Sequence, residues 1–347
     1  MKFTLNNTLH EIMSKTGPGL SMFFHESMLQ FIPDGGVDVP LSELKDNLIM
    51  PWGAPFPADD VVRDANCLQS ADEYWDYLPL WTEENFRPGT GSPENVCLVK
   101  LKTPAIEGAR PCVIICPGGA YQNLAFNSEG LQIASRFAEA QIRPFILNYR
   151  FSPNHYPVPQ TDLALAIKYL RAHADQFEID PDNLMIMGFS AGGHLCASTT
   201  ALRDEVNREL QQELERTRPD IATSYEAISM RPDKVTLCYP VISFSKEQHE
   251  ESFQALTGGD ESLRGKLSIE LQVDPDYPKT FIWANTDDSL VPPSNTTRMG
   301  QALTDRGIPH KMAVYPQGEH GCGLGAGTSA EGWFDEMLGF MYGTEEA

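Results

Sequence analysis

Short apolar runs bounded by turn residues recur along the second part of the chain: Val96–Leu101, Pro111–Cys116, Arg143–Tyr149, Asn183–Gly188, Lys234–Ile242, Lys279–Asn285 and His310–Tyr315. Each has a strand's length and β-branched or aromatic content. Between most of them the apolar period lengthens to that of a helix. Glu129–Gln141 puts Ile133 and Phe137 on one face, behind Asn127 and Ser128 as candidate N-caps. Pro159–Gln176 aligns Leu163, Ile167, Leu170 and Ala174. Ser294–Arg306 and Glu331–Met341 supply two more helices. Strands that alternate with helices predict βαβ units, an α/β fold, and a mostly parallel sheet buried on both faces.

Two stretches depart from this rhythm. Glu205–Arg218 is highly charged, with only Val206, Leu210 and Leu214 as an apolar stripe. It reads as the surface helix of an insertion near 203–230, lying over the carboxyl ends of the strands, where ligands bind in such sheets. Residues 1–95 are rich in Pro, Trp and turn residues, as in Pro51-Trp52-Gly53-Ala54-Pro55-Phe56-Pro57. They read as an extension packed on a main domain of residues 96–347, serving as a structural wrap, a partial lid or an oligomer contact.

Composition narrows the partners. The 347 residues carry 26 Lys+Arg against 48 Asp+Glu, a formal charge of −22, which argues against nucleic acid and anionic membranes. A neutral small molecule fits better. At 41% hydrophobic residues a large core is available, which excludes a disordered chain. The seven cysteines are scattered with no C-x-x-C pair, as in reduced core thiols rather than a zinc site or a disulfide frame. The N-terminus lacks the apolar segment and cleavage site of a signal peptide, so the expected compartment is the cytoplasm.

The strongest chemical signal is Gly188-Phe189-Ser190-Ala191-Gly192-Gly193, directly after the apolar run Leu184–Met187 and before the helix-compatible run His194–Leu202. A serine hydroxyl is a weak nucleophile at neutral pH and needs an exposed position with a base beside it. The strand, the G-x-S-x-G turn and the helix together provide that position. A second element, Cys116-Pro117-Gly118-Gly119-Ala120-Tyr121, ends an earlier strand. Its small residues let backbone amides approach a developing oxyanion, with Gly119, Ala120 and Ala191 as the expected donors. The base follows by elimination. Enzymes with this elbow run Ser, then Asp or Glu, then His. His310 begins a strand, whereas His320 sits in the loop Gly318–Gly323 beyond it; His194 and His249 remain as alternatives. The acid belongs after the strand Phe281–Ala284, where Asp287 and Asp288 both qualify.

These residues make the chain resemble an α/β hydrolase of the acetyl-xylan esterase and feruloyl esterase group of carbohydrate esterases, from about Val96 to Met341. The likeness rests on Pro117–Tyr121, Asn148-Tyr149-Arg150, Tyr156-Pro157, Asp162, Gly188–Leu195, Arg231-Pro232-Asp233, Tyr239–Ile242, Asp288 with Val291-Pro292, and Gly318–Gly321. Ala120 stands where many relatives carry Gly. The Asp-x-x-Val-Pro frame of such enzymes favours Asp288 over Asp287. The resemblance implies Ser190 as nucleophile, His320 as general base and acid, and Asp288 as its orienter. It implies a serine esterase acting on short acyl esters, chiefly acetyl, of a sugar, with no metal or organic cofactor. Tyr121, Tyr156 and the Trp residues of the extension are candidates to stack on a sugar face. Two other readings stay open: an exopeptidase of the prolyl-oligopeptidase type, for whose propeller the extension is too short, and a non-catalytic binding protein of the same fold.

Overall fold

The computed structural model describes residues 2–15, 36–44, 58–71, 75–82, 95–101 and 108–343. Eight strands form one sheet: β1 (Trp75–Pro79), β2 (Cys97–Leu101), β3 (Arg110–Cys116), β4 (Arg143–Asn148), β5 (Ile179–Phe189), β6 (Lys234–Cys238), β7 (Lys279–Asn285) and β8 (His310–Tyr315). Their spatial order is β1-β2-β4-β3-β5-β6-β7-β8. β2 runs antiparallel to both neighbours, and every pairing from β4 to β8 is parallel. This is the mostly parallel α/β sheet that the alternating pattern predicts, in the α/β-hydrolase architecture that the resemblance implies.

The pleat explains why the parallel strands read as continuous apolar runs. Cys112, Ile114 and Cys116 of β3 face one core with Leu184 and Ile186 of β5. Val113 and Ile115 face the other with Met185, Met187 and Phe189. The helices Val158–Ala172, Ala191–Ala201 and Ser294–Asp305 cover the first face, while Gln132–Glu139 and Trp333–Tyr342 cover the second. With Trp283 and Trp333 fully buried and stacked at 5.0 Å between ring centroids, the second face is closed by large aromatic side chains.

Several boundaries move for physical reasons. β6 stops at Cys238, short of Ile242, because Tyr239 takes a φ of +35° and Pro240 follows, so the chain leaves the sheet there. The segment expected as a helix from Glu129 begins instead with a π-helical turn, Asn127–Leu131, and neither Asn127 nor Ser128 caps it; the Asn127 amide donates to Asp64 Oδ1 at 2.7 Å. The charged helix Arg203–Thr217 buries Val206, Leu210 and Leu214 as its stripe predicts. It packs on the helices Val158–Ala172 and Ala191–Ala201, and its Glu213 pairs with Arg150, two residues beyond the carboxyl end of β4.

Within residues 1–95, β1 pairs with β2 along its length and the helix Ala58–Ala71 contributes Ala58, Val61 and Ala65 to the second core. Trp52 and the Pro-rich run around it lie outside the described residues. Among the described residues, no helix is long and apolar enough to cross a membrane.

Candidate active site

Ser190 sits at the turn between β5 and the helix Ala191–Ala201, with φ 51° and ψ −120°, a conformation that L-residues rarely adopt. The neighbours hold it there. Ser190 N–H donates to the Cys238 carbonyl at 3.0 Å, and its own carbonyl accepts from Val241 N–H at 3.1 Å and His194 N–H at 3.2 Å. Gly188 and Gly192 are required by space rather than by dihedral angle. A Cβ on Gly188 would collide with the Gly192 carbonyl, and one on Gly192 with the Cys116 carbonyl, backbone against backbone in both cases. Strand, turn and helix can therefore close this tightly only without those side chains.

The side chains separated in sequence meet here. His320 Nε2 lies 2.8 Å from Ser190 Oγ, and His320 Nδ1 lies 2.7 Å from Asp288 Oδ2. The Asp288 side chain is fully buried, and its other oxygen accepts from the backbone N–H groups of Leu290 (3.0 Å) and Val291 (2.8 Å). Its carboxylate is thus pinned by donors on one side and aimed at the imidazole on the other. Asp287 does different work: it accepts from Gly318 N–H at 3.0 Å and Glu319 N–H at 2.9 Å, which fastens the loop carrying His320. Asn285 Nδ2 donates to the Glu319 carbonyl at 2.7 Å and secures the same loop. The His320 ring packs edge-on against Tyr239, 4.9 Å between centroids.

Gly119 and Ala120 follow β3 with φ of +134° and +57°. Their amides donate to no acceptor among the described residues, and both residues line the cavity beside Ser190. Ala191 is fully buried at the first turn of the helix after the serine, where an amide has no intrahelical partner. Free N–H groups at such a position suit a developing negative charge. The cavity has a volume of about 110 Å³ and is bounded by Gly119, Ala120, Ser128, His249, Leu290 and His320, among others.

Of the other candidate histidines, none reaches Ser190 Oγ. His310 Nδ1 turns to the Ile308 carbonyl at 2.8 Å. His194 is fully buried: the Leu267 carbonyl accepts at 2.9 Å from Nε2, and Tyr121 OH stands 3.0 Å from Nδ1. Burial pushes its pKa down to about 4, which fits a neutral ring donating once and accepting once. His249 lines the cavity but caps the helix Glu250–Thr257. The expected sugar-stacking aromatics are corrected as well. Tyr121 has no exposed face, Tyr156 does not line the cavity and its ring faces Lys266 Nζ at 5.1 Å, and Trp75 and Trp81 are buried away from the cavity.

One residue of the site escaped the sequence reading. Glu129 is buried in the cavity wall, where Oε2 accepts from Gly118 N–H at 2.7 Å and Oε1 from Tyr239 OH at 2.9 Å. Tyr239 OH in turn accepts from Gly323 N–H at 3.1 Å. One carboxyl thereby ties the Gly118–Gly119 loop to the loop beyond His320. Burial raises its pKa, opposed by the Gly118 N–H and by the nearby His320, so the neutral form is favoured relative to an exposed glutamate. The signal was present: Glu129 lies four residues before Ile133 and eight before Phe137, a carboxyl on an otherwise apolar helical face. Among the described residues, no group of three or more His, Cys, Asp or Glu side chains is placed to hold a metal ion.

Known proteins resemble this chain in both sequence and structure. The crystal structure of an acetyl ester-xyloside bifunctional hydrolase from Caldicellulosiruptor lactoaceticus is 32% identical, with a TM-score of 0.64 over 76% of this chain and 97% of that one. Endo-1,4-beta-xylanase B of Butyrivibrio fibrisolvens is 34% identical over 65% of this chain and 34% of its own length. An acetylxylan esterase of Xylanibacter ruminicola is 29% identical over 65% of this chain and 43% of its own. The chain thus spans less than half the length of these two curated relatives. The BD-FAE family model matches residues 101–303, which include β3 with its Gly-Gly-Ala loop, the Ser190 turn and Asp288, so the chain belongs to the BD-FAE family of α/β hydrolases.

Proposed function

We propose that this chain is a carboxylic ester hydrolase that cleaves short acyl esters, acetyl above all, from a carbohydrate alcohol. The observation that carries the reading is the unbroken hydrogen-bond chain Ser190 Oγ–His320 Nε2 and His320 Nδ1–Asp288 Oδ2 beside a cavity with unpaired backbone amides. Asp288 keeps the proton of the neutral imidazole on Nδ1, which leaves Nε2 as an acceptor facing the serine. As Oγ attacks the ester carbonyl, Nε2 takes the hydroxyl proton and Asp288 stabilises the imidazolium. The carbonyl oxygen gains charge against the N–H groups of Gly119, Ala120 and Ala191, each worth roughly 3 kcal/mol in such sites. The tetrahedral intermediate collapses, the alcohol leaves with the proton from Nε2, and an acyl group remains on Ser190. Water then enters by the same route, giving up a proton to His320 and releasing the acid.

The small cavity supports a short acyl group. At roughly 10–15 Å³ of such volume per water-sized group, about 110 Å³ holds roughly seven to eleven such groups, room for an acetyl together with the near part of its alcohol. The likeness to an acetylxylan esterase and to an acetyl ester-xyloside hydrolase supports acetylated xylose units as the substrate class. An excess of 22 negative charges suits a neutral ester better than an anionic one. The test is a series of p-nitrophenyl esters from acetate to octanoate alongside acetylated xylosides and methyl ferulate. The proposal expects kcat/KM to peak at acetate and to fall at least tenfold by octanoate, with acetylated xylosides cleaved. A peak at long chains, or inert xylosides, would overturn the substrate class.

A further inference from the structure

His249 is only 4% exposed, lines the cavity beside Ser190, and takes no part in the proton path described above. It is the N-cap of the helix Glu250–Thr257. Its Nδ1 accepts from Ser252 N–H at 3.3 Å and lies 2.8 Å from Ser252 Oγ. A backbone N–H only donates, so Nδ1 is the unprotonated nitrogen and the proton of the neutral ring sits on Nε2. Burial lowers the pKa of this ring, which favours that neutral form. Among the described residues Nε2 has no hydrogen-bond partner; the carboxylate of Glu251 stands 3.5 Å away on a mostly exposed side chain. An N–H buried at a cavity wall with its bond unmade is unfavourable until a ligand supplies an acceptor.

Which part of the ligand does so follows from the chemistry. The imidazole that must protonate the leaving oxygen marks the alcohol side of the cavity. His249 lies within electrostatic reach of both His320 and Asp288, and Leu290, two residues beyond Asp288, shares the same wall. Glu129, the other ionisable group of the wall, is already engaged with Gly118 and Tyr239. From this we infer that His249 is a specificity-determining residue of the alcohol subsite. Its Nε2–H donates a hydrogen bond to a free hydroxyl oxygen beside the scissile ester, so the site selects partially acylated polyols over simple alkyl esters. The inference rests on the esterase reading.

Two esters of one size, ethylene glycol monoacetate and propyl acetate, differ in whether a hydroxyl or a methyl ends the alcohol. Hydrolysis of each is followed by pH-stat for the wild type, His249→Asn and His249→Gln. The Asn carboxamide keeps an acceptor for Ser252 N–H, so the helix cap survives, but it falls short of the position of Nε2. Gln reaches that position with an amide N–H. The wild type should prefer the glycol ester. His249→Asn should lower the glycol-to-propyl ratio of kcat/KM by roughly three- to tenfold, mainly through KM, the range of one neutral hydrogen bond. His249→Gln should restore most of the ratio. The proposal is overturned by an unchanged ratio in His249→Asn, whether or not both rates fall together, and by a Gln variant as poor as the Asn variant. A wild type that cleaves neither ester would instead sink the esterase reading itself, an outcome distinct from a flat ratio.

Discussion

Asp287 and Asp288 are adjacent carboxylates with different tasks, and replacing each by asparagine separates them. In Asp288→Asn the carbonyl oxygen must stay toward the N–H groups of Leu290 and Val291, which can only donate. The new NH₂ then faces His320 Nδ1, now 2.7 Å from a carboxylate oxygen. Two donors cannot face each other, so the ring shifts its proton to Nε2 and presents N–H to Ser190 Oγ where an acceptor is needed. The base is lost without a change of shape, and the imidazolium loses its counter-charge. In serine hydrolases this wrong-tautomer change lowers kcat by about 10⁴, equivalent to roughly 5.5 kcal/mol of barrier. In Asp287→Asn the carboxamide oxygen can still accept from Gly318 and Glu319 N–H, and the imidazole's ring nitrogens keep Asp288 and Ser190 as their partners. A fall of no more than about tenfold is expected there, from a slightly looser loop. The assay is kcat on p-nitrophenyl acetate, with urea midpoints to show that both variants fold. Comparable losses in the two variants, or the larger loss at position 287, would refute the assignment of Asp288.

Two further predictions concern the surroundings. Glu129→Gln leaves one carbonyl oxygen where two carboxyl oxygens accept from Gly118 N–H and Tyr239 OH. The variant should lose about 1–3 kcal/mol in urea unfolding and react more slowly at Ser190, and an unchanged stability would contradict the tie between the two loops. His194 gives a pH dependence whose sign follows from burial. Its pKa falls from 6.5 to about 4 on folding, so between those values the unfolded chain binds the extra proton and stability decreases as pH falls. The loss amounts to about 3 kcal/mol over that window and is complete below pH 4. His194→Gln, whatever its absolute stability, should show a correspondingly flatter slope of unfolding free energy between pH 6.5 and 4; equal slopes would reject the point.

Much of the architecture is legible along the chain because parallel strands buried on both faces leave an unbroken apolar signature. β7 appears at its observed limits for that reason, buried from Thr280 to Asn285. The turn at Ser190 is legible because steric need leaves glycine at 188 and 192 as its trace. Pairings that depend on tertiary placement leave no such trace. β1 is a five-residue edge strand, mostly half-buried, in a Pro- and Trp-rich stretch, and its order comes from pairing with β2 and from Trp75 packing in the second core. The stripe of Arg203–Thr217 is plain, yet nothing in it names the helical layer it covers. Glu129 is a polar residue on an apolar face, and its partners, Gly118 and Tyr239, come from distant parts of the chain. His249 could be picked out as a histidine of interest, but only the structure separates a ring that caps a helix and faces the cavity from one that meets the serine.

The central claim is that Ser190 is the atom that is acylated. Treating the protein with a fluorophosphonate and mapping the adduct by peptide mass spectrometry tests it directly. The account predicts one equivalent of label on the peptide containing Ser190, none on the Ser190→Ala variant, and loss of p-nitrophenyl acetate turnover in step with labelling. A labelled residue elsewhere, or a Ser190→Ala variant that still turns over the acetate at the wild-type rate, would contradict it.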